Sequence, residues 1–462
     1  MAFDYSIPVV IAGGGAAGAV AALAARDAGA DVLLLEQDAA PFGTTSMSQG
    51  LLCAAGTAAQ KQHGVQDDGE TLFADIMAKT GGRTDPVLAR ALAHGSGPAL
   101  DWLVTAHGLP YTLDTRFKPA FGHSRLRVHG WPGHSGGDML QFLHRRLADT
   151  GVDVLPQARL VELVHGDDGR VAGVVIQRPD GSRESFGCDS LVLATGGFAG
   201  NHAMVRTHIP DAADAHYHGH EGSDGLGIRL GVGLGAALAD MGAYQGYGML
   251  TDPQGITLPP GFILEGGLLV NADGDRFANE TADISAIVHP VLAQPGGRAW
   301  AIFDERIEQA CAHIHESAQL RELNAARAAD SIAALATAIG ADPARLEATL
   351  TEAWAAHRAS RPDAQGRTWT EAPPPAGALR ALRLRGALYH TQGGLRINGD
   401  GAVLREDGSK LPNLFACGGA ARSVSGPSCW GYLPAMGICT AFTLGRLAGM
   451  AAARAAMASF QS

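Results

Sequence analysis

The chain has 462 residues, 46% hydrophobic and only 18% charged, with a formal charge of −11. That length allows two domains, and with no basic run to follow a phosphate backbone a nucleic-acid partner is excluded. No apolar stretch near the ~20 residues of a bilayer span is expected, and the first strand is expected almost at Met1, leaving no room for a signal peptide, so a cytoplasmic location is expected.

The opening residues carry the first motif. Val9-Val10-Ile11-Ala12 runs into Gly13-Gly14-Gly15-Ala16-Ala17-Gly18, and Val32-Leu33-Leu34-Leu35 ends at Glu36. This reads as strand, glycine turn, small-residue helix and second strand. Gly13 permits the tight turn, Gly15 lets a pyrophosphate approach the backbone, and Gly18 lets helix and strand pack closely. The helix N-terminus faces the phosphates, and Glu36 is placed to accept hydrogen bonds from a ribose. An adenine dinucleotide is the ligand this arrangement fits.

A loop of small hydroxyl residues follows at 41–50, then helices over 70–107. A Gly-Gly turn after Ser135 starts a helix near 138–149. Strands are expected at 152–155 and 158–164, with a hairpin turning at Asp167-Asp168-Gly169. A strand through Ser190-Leu191-Val192-Leu193-Ala194 ends in a second glycine turn, Thr195-Gly196-Gly197-Phe198. His216, His218 and His220 alternate as on one strand face, yet no carboxylate spacing completes a ligand set, and no metal is expected. Arg380, Arg383 and Arg385 read as a solvated face.

From 241 to 378 the reading is irregular, then helical over 317–358, then proline-rich at Pro373-Pro374-Pro375. The first style returns with a strand at 393–397, a strand and turn at 413–419 and a helix of small residues at 434–457. The fold class is α/β: a Rossmann-like nucleotide domain, 1–240 and 379–462, interrupted by an α+β capping domain, 241–378. Six scattered cysteines lack C-x-x-C spacing and read as core residues, with Cys429 the one beside a candidate motif.

Taken together, these motifs resemble the flavoprotein family of fumarate reductase, succinate dehydrogenase and the 3-ketosteroid dehydrogenases. The resemblance rests on Gly13 to Gly18, Leu193-Ala194-Thr195-Gly196-Gly197-Phe198, Asp224-Gly225, Asn271 through Glu280, His390-Thr391-Gln392-Gly393-Gly394 and Leu414-Phe415-Ala416-Cys417-Gly418. It implies FAD, with Gly13, Gly15, Gly18, Glu36, Thr44, Thr45, Gly50, Thr195, Gly196, Gly197, Asp224, Gly418, Gly437 and Ile438 around it. The position of the histidine that anchors FAD covalently in some members is Thr44 here, so the FAD is expected to be non-covalent. The family glutamate after Gly418 is Gly419.

Three departures point away from fumarate. The family's proton-transferring arginine is missing from Glu280-Thr281-Ala282-Asp283-Ile284-Ser285-Ala286. Its carboxylate-clamping arginine aligns with Tyr432 and a substrate histidine with Tyr247; His390 alone is retained. Gly431-Tyr432-Leu433-Pro434-Ala435-Met436-Gly437 is similar to the turn by which ketone desaturases hold a substrate carbonyl. It also resembles tricarballylate dehydrogenase, as does Val291 through Gly297.

The expected activity is desaturation beside a ketone, with Tyr432 and a backbone N–H near Met436 or Gly437 as an oxyanion hole. Tyr247 is the first candidate for the base and His390 the second. Dehydrogenation of a polycarboxylic acid, using Arg116, Arg125 or Arg127, is the alternative. Others are enoate reduction fed by an outside donor, and a flavin-holding protein without turnover. The expected partners are a small-molecule substrate and a separate electron acceptor.

Overall fold

In the computed structural model, which describes residue 3 and residues 5–459, strand β1 (Ser6–Ala12), helix α1 (Ala16–Asp27) and strand β2 (Val32–Leu35) build the opening motif. β1 runs parallel to β2, Val9 opposite Val32, and on its other side parallel to β4 (Arg183–Leu193), Val9 opposite Ser190. β3 (Asp153–Leu155) extends the sheet beyond β2, and β5 (Lys410–Ala416) extends it beyond β4. Strands buried on both faces read as continuous apolar runs, as 9–12 and 32–35 do. The hairpin Arg159–His165 and Val171–Gln177 pairs antiparallel with the start of β4.

The chain divides into two units. The first runs to Pro210 and includes Gly219–Tyr244 and the segment from His390; the second comprises Asp211–His218 and Gln245–Tyr389. Within the first unit, helix α2 (Met436–Ser459) lies against α1 at a spacing only glycine allows. A Cβ on Gly445 would stand 2.6 Å from the Ala17 carbonyl oxygen, and one on Gly449 2.1 Å from that of Ala21. This helix corrects the expectation that no segment is long and apolar enough to span a bilayer: by length and composition Met436–Ala458 is. Its apolarity answers its burial, since 72% of the apolar stretch is inside the protein.

The second unit centres on antiparallel strands Leu268–Val270, Arg298–Asp304 and Leu379–Thr391, with Arg327–Ala329 on the last of these. Leu268, Trp300, Ile302 and Leu379 on the sheet share a core with Leu335, Ile339, Leu346 and Leu350 on helices Ile332–Ile339 and Pro343–Arg358. The stretch read as irregular therefore contains strands, including Tyr244–Thr251. Glycines at 246 and 248 hid that strand's alternation. They are needed because a Cβ on Gly246 would meet Val288 at 2.5 Å.

Buried ion pairs hold this unit together. Glu280, from the Asn-Glu motif, accepts the Leu269 N–H at 2.9 Å and pairs with Arg276 at 2.7 Å and Arg367 at 3.2 Å. Arg383 and Arg298 converge on Asp252, and Arg380 pairs with Glu308. With Arg385 3.9 Å from Asp252 Oδ1, the three arginines of Leu379–Thr391, Arg380, Arg383 and Arg385, form an ion-paired row.

Candidate active site

The residues expected to hold a nucleotide lie in the first unit. Gly13, at φ 108°, donates its N–H to the Leu35 carbonyl at 2.8 Å. A Cβ there would lie 2.3 Å from the Ala194 oxygen, and one on Gly18 would lie 1.8 Å from the Gly13 oxygen. Gly15 differs: it caps α1, and the only atom a Cβ there would meet is Thr45 Oγ1 at 3.4 Å. Two glycines close the turn and the third leaves space for a ligand, as a pyrophosphate site needs.

Glu36 ends β2 with Oε2 accepting the Gly14 N–H and Oε1 the Asp38 N–H, both at 2.8 Å. Burial raises its carboxyl pKa and those two bonds oppose the rise. Thr45 Oγ1 accepts the Ala16 N–H at 3.1 Å, and Thr44 Oγ1 the His220 N–H at 3.1 Å. Gly50 sits at φ 61°, its carbonyl accepting the Tyr111 hydroxyl at 2.7 Å. Gly196 turns the second loop at φ 76°, and the Gly197 carbonyl accepts the Gly225 N–H at 2.9 Å. Asp224 is spent on the Leu226 N–H at 2.8 Å and on Arg159 at 2.6 Å.

Two observations bear on whether FAD fits. Thr195 Oγ1 is buried with no hydrogen-bond partner, a state that a ligand hydroxyl or phosphate would relieve. Gly419 packs directly on the second glycine turn: a Cβ on it would be 2.5 Å from the Gly197 nitrogen. Gly418, at φ 60°, lies against Ala17 in α1. The residues present fit the dinucleotide. Glu36 would face its ribose, and Gly15 with the start of α1 its phosphates.

Tyr432, His390 and Gly437 meet at one point. The Gly437 N–H donates to Tyr432 Oη at 3.3 Å, which leaves the phenolic proton free to donate outward. The His390 and Tyr432 rings meet edge to face, centroids 5.9 Å apart. A Cβ on Gly437 would lie 3.1 Å from His390 Nε2 and 3.5 Å from Tyr432 Oη. Burial holds the His390 imidazole down to about 4, a Thr391 carbonyl opposing, so the ring is neutral at pH 7. Burial likewise pushes the Tyr432 phenol above its usual range. Ile438 follows on the first turn of α2, barely exposed.

The turn that aims these groups is held from beneath, by residues the sequence did not reveal in that role. Ala435 sits at φ 60°, costly for a residue with a Cβ. Its carbonyl accepts N–H groups from Cys53 at 3.3 Å and Cys439 at 3.4 Å. His123 Nε2 is 3.0 Å from the Pro434 carbonyl. Behind it Arg127, 1% exposed, binds Asp67 through two hydrogen bonds of 2.8 and 2.9 Å and also pairs with Asp75. Arg127 is therefore spent on carboxylates, and Arg116 on Asp114 at 2.7 Å. The Cys53 and Cys439 thiols are in hydrogen-bond contact; that bond pushes Cys53 down to about 5 against its burial. Cys429 is buried in the turn before Tyr432, and none of the six cysteines forms a disulfide.

Tyr247 belongs to the second unit. Its hydroxyl donates to the Leu258 carbonyl at 2.6 Å, its ring packs on Tyr389 at 5.2 Å, and burial raises its phenol well above 10. His216 and His218 lie 6.4 Å apart by ring centroid. Among the described residues no group of three or more His, Cys, Asp or Glu is placed to hold a metal.

A parallel sheet, a glycine-turn nucleotide cradle and the meeting of Tyr432, His390 and Gly437 are the arrangement of a flavin-type oxidoreductase. A family profile described as FAD binding domain matches residues 8–434, and the chain belongs to that family. It is 29% identical over 453 residues to the probable fumarate reductase Ifc3 of Shewanella frigidimarina, covering 97% of this chain and 75% of that protein. It is 28% identical over 363 residues to the 4-oxocyclohex-2-ene-1-carboxylate 5-dehydrogenase of Sinomonas cyclohexanicum, covering 70% of this chain and 60% of that one. The crystal structure of 3-ketosteroid-delta4-(5alpha)-dehydrogenase from Rhodococcus jostii RHA1 superposes with a TM-score of 0.79 at 27% identity, covering 98% of both chains. The chain is an FAD-dependent oxidoreductase of the fumarate reductase and ketosteroid dehydrogenase family.

Proposed function

We propose that this enzyme introduces a C=C bond beside a ketone carbonyl, in a steroid or a smaller alicyclic ketone, with non-covalently held FAD. One observation carries the reading: Tyr432 Oη, Gly437 and His390 Nε2 share one point, and no group there is a cation at neutral pH. A carboxylate is best held by a guanidinium, a ketone oxygen by neutral donors. Of the three arginines a carboxylate would call upon, Arg116 and Arg127 are already neutralised by Asp114, Asp67 and Asp75, while Arg125 is exposed and donates to the Ser124 carbonyl. The ring ketones named for the Sinomonas dehydrogenase and the Rhodococcus steroid dehydrogenase support this reading.

The chemistry follows from the donors. A proton on the carbon beside a ketone becomes acidic only as negative charge on the oxygen is stabilised. Tyr432 would donate its hydroxyl proton to that oxygen, and a well-aimed donor of this kind lowers a barrier by roughly 2.7–4 kcal/mol. Bound FAD would supply the acceptor for the hydride leaving the next carbon, and a separate electron acceptor completes the cycle. Of the two candidates for the base, Tyr247 can act only once deprotonated: its proton serves the Leu258 carbonyl in the resting protein, and burial makes its phenolate costly to form. Thr44, whose hydroxyl serves the His220 N–H, offers no imidazole for a flavin bond.

The test is anaerobic bleaching of the flavin by a panel of cyclic ketones and a panel of tricarboxylates. Bleaching by ketones alone is expected. Bleaching by acids alone, or reoxidation of reduced flavin by fumarate-like enoates alone, would replace this reading with the carboxylate chemistry named for the Shewanella relative.

A further inference from the structure

His390 has two ring nitrogens in unlike surroundings. Nε2 faces the space shared with Tyr432 and Gly437. Nδ1 lies 3.0 Å from Gln392 Nε2 and a longer 3.4 Å from the Thr391 carbonyl. The Gln392 Oε1 accepts the Ser425 hydroxyl at 3.1 Å. Gln392 is 4% exposed and Ser425 2%. The glutamine backbone is pinned on both sides, its N–H on the Ala243 carbonyl and its carbonyl on the Ser423 N–H, both at 2.8 Å.

Two proton arrangements fit three such groups in a row. In the first, the serine hydroxyl donates to the amide oxygen and the amide nitrogen donates to Nδ1, so the imidazole proton sits on Nε2. In the second, the amide turns over, Nδ1–H donates to its oxygen, and its nitrogen donates to the serine oxygen. That leaves the serine proton buried without an acceptor, at a cost of about 1–3 kcal/mol. The Thr391 carbonyl is too far from Nδ1 to repay it.

The geometry points to the first: Ser425 and Gln392 fix the proton of His390 on Nε2, so His390 presents a neutral N–H donor to the oxygen that Tyr432 also holds. This rests on the ketone reading and deepens it, because two side-chain donors and no cation select an uncharged carbonyl oxygen. His390 is then an oxyanion donor, Gln392 and Ser425 are positioning residues, and the α-proton passes to Tyr247, the remaining candidate base, once its hydroxyl has given up its own proton and its bond to the Leu258 carbonyl. The imidazole's titratable neighbour across the site is Tyr432, itself neutral in this range.

The measurement is histidine nitrogen NMR on the FAD-loaded protein, the His390 signals being those lost in His390→Gln. Nε2 should show a protonated shift and Nδ1 an unprotonated one, with no titration from pH 5 to 8. Gln392→Glu should move the proton to Nδ1 and bring a titration into that range. With FAD retained, it should also slow flavin reduction by the best ketone at least tenfold at saturation. Gln392→Met, which removes the relay without adding charge, should give mixed tautomers. A protonated Nδ1 in the unaltered protein would overturn the inference, whatever the variants do. Failure of every ketone to bleach the flavin would instead sink the ketone reading and leave the NMR result intact.

Discussion

Replacing Tyr432 with Phe removes one oxygen atom from a residue that is 3% exposed. The ring keeps its edge-to-face contact with His390, so packing is preserved and the loss is confined to hydrogen bonding. The structural cost is the Gly437 N–H, which loses an acceptor at 3.3 Å. A bond of that length contributes about 1 kcal/mol or less, so melting should fall by no more than about 2–4 °C. The chemical cost is larger under the proposed mechanism, in which the phenolic proton is donated to the transition state. Losing one such donor costs roughly 2.7–4 kcal/mol, which slows the reductive half-reaction about 10²–10³-fold. Anaerobic stopped-flow absorbance of the flavin, at saturating ketone, reads this directly. A variant that binds FAD and is reduced within threefold of the unaltered rate would refute the role given to Tyr432.

Gly437→Ala puts a methyl between His390 Nε2 and Tyr432 Oη, at 3.1 and 3.5 Å. In protein loaded with saturating FAD it should abolish ketone-driven bleaching; ordinary turnover would show that the oxygen does not sit there. Gly419→Ala forces a Cβ to 2.5 Å from the Gly197 nitrogen, and overpacking of about 1–3 kcal/mol should weaken FAD binding at least fivefold in a flavin-release titration. Glu280→Gln leaves Arg276 and Arg367 without their shared buried carboxylate, and denaturant unfolding should show a loss of about 3–5 kcal/mol. His390 is held at about 4 when folded against about 6.5 unfolded. A depressed pKa contributes stability that is complete above pH 6.5 and lost as pH falls towards 4, here ~3 kcal/mol. His390→Gln should therefore flatten the stability–pH curve between 6.5 and 4, and an unchanged slope would contradict the burial argument.

The opening motif and the 193–197 turn were legible because backbone geometry demands glycine there: Gly13 and Gly18 pack against carbonyls 2.3 and 1.8 Å from where a Cβ would stand. Tyr432 and His390 were visible only through resemblance, since 42 residues separate them. Arg127 looked available from its sequence context, because its partners Asp67 and Asp75 lie 60 and 52 residues upstream. The Gln392–Ser425 bond spans 33 residues and leaves no periodic trace. The strand Leu379–Thr391 was not expected, although its leucines alternate with Arg383 and Arg385. The arginines drew the eye to solvent when each was answering a carboxylate.

The glycine contacts between α1 and α2 carry a consequence for assembly. The phosphate turn near residue 15 is braced by a helix that begins at Met436, so its support arrives more than 400 residues after it leaves the ribosome. Closing so long a loop adds little to the equilibrium cost but postpones the event. Nascent chains lacking that last helix should hold their first α-helix unshielded and be unable to capture dinucleotide. Chaperone dependence and flavin uptake would then rise and fall with completion of synthesis.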